Sequence, residues 1–162
     1  FKKDLSQRRD AALRFRLGGI RTLNIYINHG VCDSVFGTAF LPPKNRNTDS
    51  YDPNIFFHWK DGVWLCSQTL PGGSLPHYNE GKTLVHEVGH FLGLLHPFGQ
   101  LNAQRVGTCL TDGDFVSDTP IQSTETIGCP TEKDSCPDQE GMDMVSNYMD
   151  YSYDSCLTTF TQ

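Results

Sequence analysis

Three kinds of apolar spacing divide the chain. In the first half the apolar residues fall in short runs, and Leu23-Asn24-Ile25-Tyr26-Ile27-Asn28 alternates in part and is rich in β-formers. That stretch predicts a strand ending at Asn28-His29-Gly30. Gly37 to Leu41 predicts a second one, and Ile55-Phe56-Phe57 and Val63-Trp64-Leu65-Cys66 flank the turn signal Asp61-Gly62. The polar run from Pro42 to Pro53 predicts a loop, and the basic, mixed residues 1 to 21, stopped by Gly18-Gly19, predict a frayed helix. The spacing changes at Thr83. Leu84, Val85, Val88, Phe91, Leu92, Leu94 and Leu95 recur at helical intervals, and Pro97 forbids a long continuation, so Thr83 to Leu95 is the one strong helix. From residue 99 onward no period persists, and a loop-rich region is expected.

Composition narrows the class. A chain of 162 residues has the length of one domain, taken as 1–162, with enough residues to bury a core. Thirteen Lys and Arg against 19 Asp and Glu leave a formal charge of −6, which offers no field for nucleic acid. The apolar runs are far too short for a membrane-spanning helix. Six cysteines, an even number without a C-x-x-C pair, read as three disulfides and hence as a secreted, extracellular protein. Residues alone leave 15 pairings open.

His86-Glu87-Val88-Gly89-His90 lies inside the predicted helix. Residues i and i+4 share a helix face, so two imidazoles can reach one metal. A catalytic zinc has three protein ligands and an open fourth position, and His96, three residues beyond Gly93, supplies the third. Gly93 suits a left-handed helix end that turns the chain back towards the metal. Glu87, rotated about 100° from His86, suits a general base that takes a proton from zinc-activated water attacking a peptide carbonyl. A bare H-E-x-x-H arises by chance on helices; Gly93 and His96 at their offsets argue against chance here. His29, His58 and His77 stand beside turn-like residues and read as ordinary loop histidines.

The extended string His86-Glu87-x-x-His90-x-x-Gly93-x-x-His96 resembles that of the metzincin zinc endopeptidases. Asn147-Tyr148-Met149-Asp150-Tyr151-Ser152 looks like the Met-turn of their pappalysin branch, particularly its secreted fungal and bacterial members. Leu70-Pro71-Gly72-Gly73-Ser74, the run from Gly113 to Pro120, Cys129-Pro130 and Cys136-Pro137 agree with it. The resemblance implies an α/β (α+β) metzincin-like catalytic domain, with a small twisted mixed sheet, a zinc helix and an irregular disulfide-linked lower half. It implies Met149 as the Met-turn residue and Tyr151 as a phenol beside the zinc that donates to the developing oxyanion. Asn147 and Asp150 read as turn formers. The family's cysteine spacing pairs Cys109 with Cys136 and Cys129 with Cys156, leaving Cys32 and Cys66 for each other. Relatives hold calcium near the acidic run, which makes Asp112, Asp114 and Asp118 candidate calcium residues; Val116 and the absence of a following glycine depart from an EF-hand loop.

The expected activity is therefore a secreted zinc endopeptidase, a monomer acting on protein or peptide substrates, with neither nucleic acid nor membrane as partner. An extended substrate is expected to add a strand to the sheet edge near Pro71 to Leu75. Cleavage preference stays open, because Ser155 rather than an acidic residue precedes Cys156, with Asp154 as a substitute. The alternatives are an inactive metal-binding module or protease remnant, against which the intact Glu87 argues, and zinc amidohydrolysis of a small substrate.

Overall fold

A computed structural model of the chain describes residues 5–19, 21–29, 32, 34–42, 60–100, 105–106, 108–110 and 113–161. Two compact units divide it, Phe1–Gly93 and Leu94–Gln162. The Ile55-Phe57 strand, His58 and nearly all of the Pro42 to Pro53 loop lie outside the described residues.

The first unit opens with helix α1, Leu5–Phe15. It ends ahead of Gly18-Gly19, where the Arg16 guanidinium donates to both glycine carbonyls and pairs with Asp61. Three strands follow: β1 (Ile25–Asn28), β2 (Gly37–Ala39) and β3 (Val63–Cys66). Their order is β1-β3-β2, with β1 parallel and β2 antiparallel to β3. Every residue of β3 is buried, as its unbroken apolar run requires of a central strand. Helix α2 (Lys82–Leu92) packs on one face of this sheet. Val63 and Leu65, two apart and so on one side of β3, form the core with Phe91, against which Leu84, Val88, Leu70 and Ala39 pack. Leu84, Val88 and Phe91 are the i, i+4, i+7 stripe of α2. On the other face Trp64 stacks on Tyr26, with ring centroids 4.2 Å apart, and carries the Arg8 guanidinium of α1 over its ring.

The strand expected at Leu23–Asn28 is present as β1, in which Ile25 and Ile27 are 43% and 50% exposed and Tyr26 takes the packed position. The large flat ring covers Trp64 better than a branched aliphatic would. Pro71 to Leu75 is no sheet edge. Its backbone closes on its own turns, with Gly73 N–H donating to Leu70 O, Gly72 N–H to Asn79 O and Leu75 N–H to Gln68 O. The outer strands of this sheet are β1 and β2.

Among the described residues the second unit contains one small ladder, β4 (Gly99–Gln100) antiparallel to β5 (Arg105–Val106). Turns, bends and irregular segments make up the rest of those residues. Its buried side chains are unusually polar, with Gln122, Thr126, Asp143, Asn147, Asp150, Ser152 and Asp154 beside Phe98, Met149 and Leu157. Hydrogen bonds and disulfides therefore carry much of the cohesion that apolar packing supplies in the first unit. Disulfides join Cys109 to Cys136 and Cys129 to Cys156 here, and Cys32 to Cys66 in the first unit.

Candidate metal centre

Helix α2 presents its histidines as local geometry dictates. His86 and His90 stand one turn apart with ring centroids 4.7 Å apart, and both are buried. The helix ends at Gly93, whose φ of 108° lies in the left-handed region and whose N–H donates to His90 O. That glycine stops α2 at Leu92, three residues short of Leu95, where the helical spacing ends. His96 follows within three residues. The candidate ligand atoms of His86, His90 and His96 all lie within 4.8 Å of one another.

The donor set tests which metal fits. Three imidazoles with no carboxylate ligand match the three-protein-ligand pattern of catalytic zinc, which leaves a fourth position open. All three rings are buried, and an imidazole ligates a metal through a ring nitrogen that carries no proton. Zinc fits these residues.

His96 is held by aromatic packing in the second unit. Its ring stacks on Phe98 at 4.8 Å and 7°, and meets the edge of Tyr151 at 5.0 Å. Phe98 touches Tyr151 as well, at 5.0 Å. Tyr151 is thus placed against a candidate ligand. Phe98, only 2% exposed, was not singled out in the sequence; its position two residues after the third histidine was the available signal.

Tyr151 is aimed by the turn that precedes it. Met149 is buried and its N–H donates to Asn147 Oδ1 at 2.9 Å, while Asp150 N–H closes the turn on Asn147 O. Asp150 accepts from the N–H of Tyr151 and of Thr126 and from Gln122 Nε2. Asn147 and Asp150 are structural fasteners of this turn. Gln122, fully buried, is a partner that no local pattern announced.

Glu87 lies on α2 and is 6% exposed. Burial pushes its carboxyl up to about 8, against the opposing pull of a hydrogen bond from the Ala39 backbone and of the Arg8 charge. A carboxyl with raised proton affinity in a dry site is suited to accept a proton and later return it.

The acidic run gives a different picture. Asp114 is buried and its Oδ1 accepts from Val116 N–H, a local turn, while Asp118 is exposed. Asp112 lies outside the described residues. Among the described residues the three histidines form the one cluster able to hold a metal, and calcium at Asp114 and Asp118 has no support.

Comparison with known proteins places the chain among relatives. A sequence profile described as pregnancy-associated plasma protein-A, a peptidase family, matches residues 14–162. An extracellular metalloprotease of Arthroderma gypseum is 48% identical over 146 residues, covering 90% of this chain and 46% of the relative. One of Verticillium alfalfae is 44% identical over 146 residues, covering 90% and 47%. Mature mirolysin of Tannerella forsythia, solved in complex with a cleaved peptide, matches with a TM-score of 0.70 and 31% identity over 94% of this chain and 55% of that one. The chain spans about half the length of these relatives. With a mixed sheet, a histidine-bearing helix and a metzincin structure as neighbour, it belongs to the pregnancy-associated plasma protein-A peptidase family.

Proposed function

We propose that this chain carries the catalytic centre of a secreted zinc endopeptidase that hydrolyses internal peptide bonds. The observation that carries the reading is the convergence of three buried imidazoles, with a buried carboxyl one residue beyond the first. His86, His90 and His96 would hold the metal. Zinc, when bound, supplies Lewis acidity that lowers the pKa of water and polarises the scissile carbonyl.

The chain's own residues do the rest. Glu87 takes the proton of the attacking water on its carboxylate, holds it in a dry environment and delivers it to the leaving amine nitrogen. The Ala39 N–H and Arg8 favour the ionised form that must accept the proton, while burial favours its later protonated form. Tyr151, seated against His96, donates its phenol proton in a hydrogen bond to the carbonyl oxygen as charge develops there. Three disulfides and relatives named as extracellular support secretion, and among the described residues no helix is long and apolar enough to cross a membrane. The cleaved peptide bound by mirolysin supports a peptide substrate class.

The test is a mass-spectrometric cleavage profile of a mixed peptide library, run beside Glu87→Ala and a chelated sample. Cleavage lost in both controls is expected. A zinc-loaded protein that cleaves nothing would overturn the reading in favour of a metal-binding module.

A further inference from the structure

The phase of the β2–β3 ladder leaves part of β2 unused by the sheet. Cys66 N–H donates to Phe36 O at 2.9 Å, and the register pairs Gly37 with Leu65, Thr38 with Trp64 and Ala39 with Val63. Because bonded and non-bonded pairs alternate in an antiparallel ladder, the N–H and C=O groups of Gly37 and Ala39 point away from β3. Glu87 occupies that edge. Its carboxylate accepts from the Ala39 backbone, and its Cγ, Cδ and Oε1 lie against Gly37. A Cβ built at Gly37 would stand 2.6 Å from Glu87 Cγ, 2.6 Å from Oε1 and 2.9 Å from Cδ.

Those separations are too short for any real side chain. Nor does the glycine answer a backbone need, since Gly37 is not among the residues of positive φ. What it supplies is room. The backbone of α2 has little freedom to retreat, being packed through Leu84, Val88 and Phe91 on Val63 and Leu65. The flexible end of Glu87 is therefore the part that would yield, and it would leave the Ala39 N–H as it moved.

We propose that Gly37 is a positioning residue for the general base, its missing side chain forming the seat in which Ala39 N–H holds the Glu87 carboxylate. The inference rests on the catalytic role given to Glu87 above. It assigns to β2 a second task besides pairing with β3, which is to aim the carboxylate.

The experiment is Gly37→Ala in the disulfide-bonded, zinc-loaded chain. A displaced base lowers kcat by about 100-fold while KM stays within about threefold, because misplacement of a catalytic group by about 1 Å has effects of that size. Zinc content is expected to be unchanged. In a Glu87→Ala background the same substitution adds no further loss, since the atoms it collides with are gone. Independently of turnover, the Ala39 amide in a 15N–1H spectrum shifts in Gly37→Ala and in Glu87→Ala alike, reporting loss of the same hydrogen bond. A kcat within threefold of the parent, an additive double variant or an unmoved Ala39 amide overturns the proposal. Should Gly37→Ala fail to fold, recovery of folding in the double variant with Glu87→Ala supports the seat, and failure of both overturns it. If the parent itself cleaves no peptide, the endopeptidase reading falls while the Ala39 amide still decides this one.

Discussion

At Glu87 burial is opposed by the Ala39 backbone hydrogen bond and the Arg8 charge, and burial wins: the carboxyl rises from an ordinary 4.5 to about 8. In the zinc-free protein the folded state then binds a proton that the unfolded state releases between those two values. Stability from this group is full below about 4.5 and is lost as pH rises through about 8, at up to about 1.4 kcal/mol per pH unit. Urea unfolding of zinc-free protein at pH 5 and pH 7.5, beside Glu87→Gln, isolates the effect from that of the buried histidines. The Gln variant is expected to gain relative to the parent as pH rises; an identical pH slope in both would show that Glu87 is not buried as described. Phe98 makes a separate prediction. Its ring fixes the plane of His96, so Phe98→Leu, which keeps most of the volume, is expected to weaken zinc binding about tenfold in chelator competition while the protein stays folded. Neither effect was legible in the sequence, where Phe98 is one apolar residue among many and Glu87 shows only its spacing.

Helix α2 is the element on which local and long-range requirements agree. Its apolar stripe and its i, i+4 histidines follow from about 3.6 residues per turn, which is why both were legible without coordinates. Its end required more. The apolar spacing runs on to Leu95, but Gly93 adopts φ 108° and closes the helix at Leu92. A side chain there would meet nothing nearer than Pro42 at 3.6 Å, so Gly93→Ala is penalised by backbone conformation alone. A loss of about 1–2 kcal/mol is expected, read as a melting temperature lower by about 2–8 °C. Strand β1 taught the opposite lesson. Alternation marks which residues share a face but not which face is covered, and Tyr26 rather than the isoleucines met a partner because Trp64 stands beside it in the register.

Across the molecule the two units are stabilised by different means. The first has an apolar core on β3, whereas the second buries carboxylates and amides that must each be satisfied. Asp143 pairs with Lys133 and accepts from the Ser135 N–H and hydroxyl, and Asp150 accepts from three donors. Asp150→Ala would leave those donors unmatched, and a loss of about 3 kcal/mol or more is expected by denaturant titration. The two disulfides of this unit each span a sequence separation of 27, worth about 3–4 kcal/mol apiece in the chain-entropy model. Replacing Cys109 and Cys136 together by Ser should lower the urea midpoint accordingly, and an unchanged midpoint would show that the polar network suffices.

What the sequence determined by itself is what depends on neighbours within one or two helical turns. The zinc-binding string, its helix, the turn-forming Asn147 and Asp150 and the irregularity of the second half all follow from short-range geometry and composition. Tertiary structure alone decided the strand order β1-β3-β2, the packing of Tyr151 against His96, the donors gathered on Asp150 and the seat of Glu87 on Gly37. Those contacts join residues whose separation along the chain carries no period, and they exist only once the backbone has closed the long loops between them. Gly37 and Glu87 stand 50 positions apart, and no local pattern can show that the space left by the one is filled by the other.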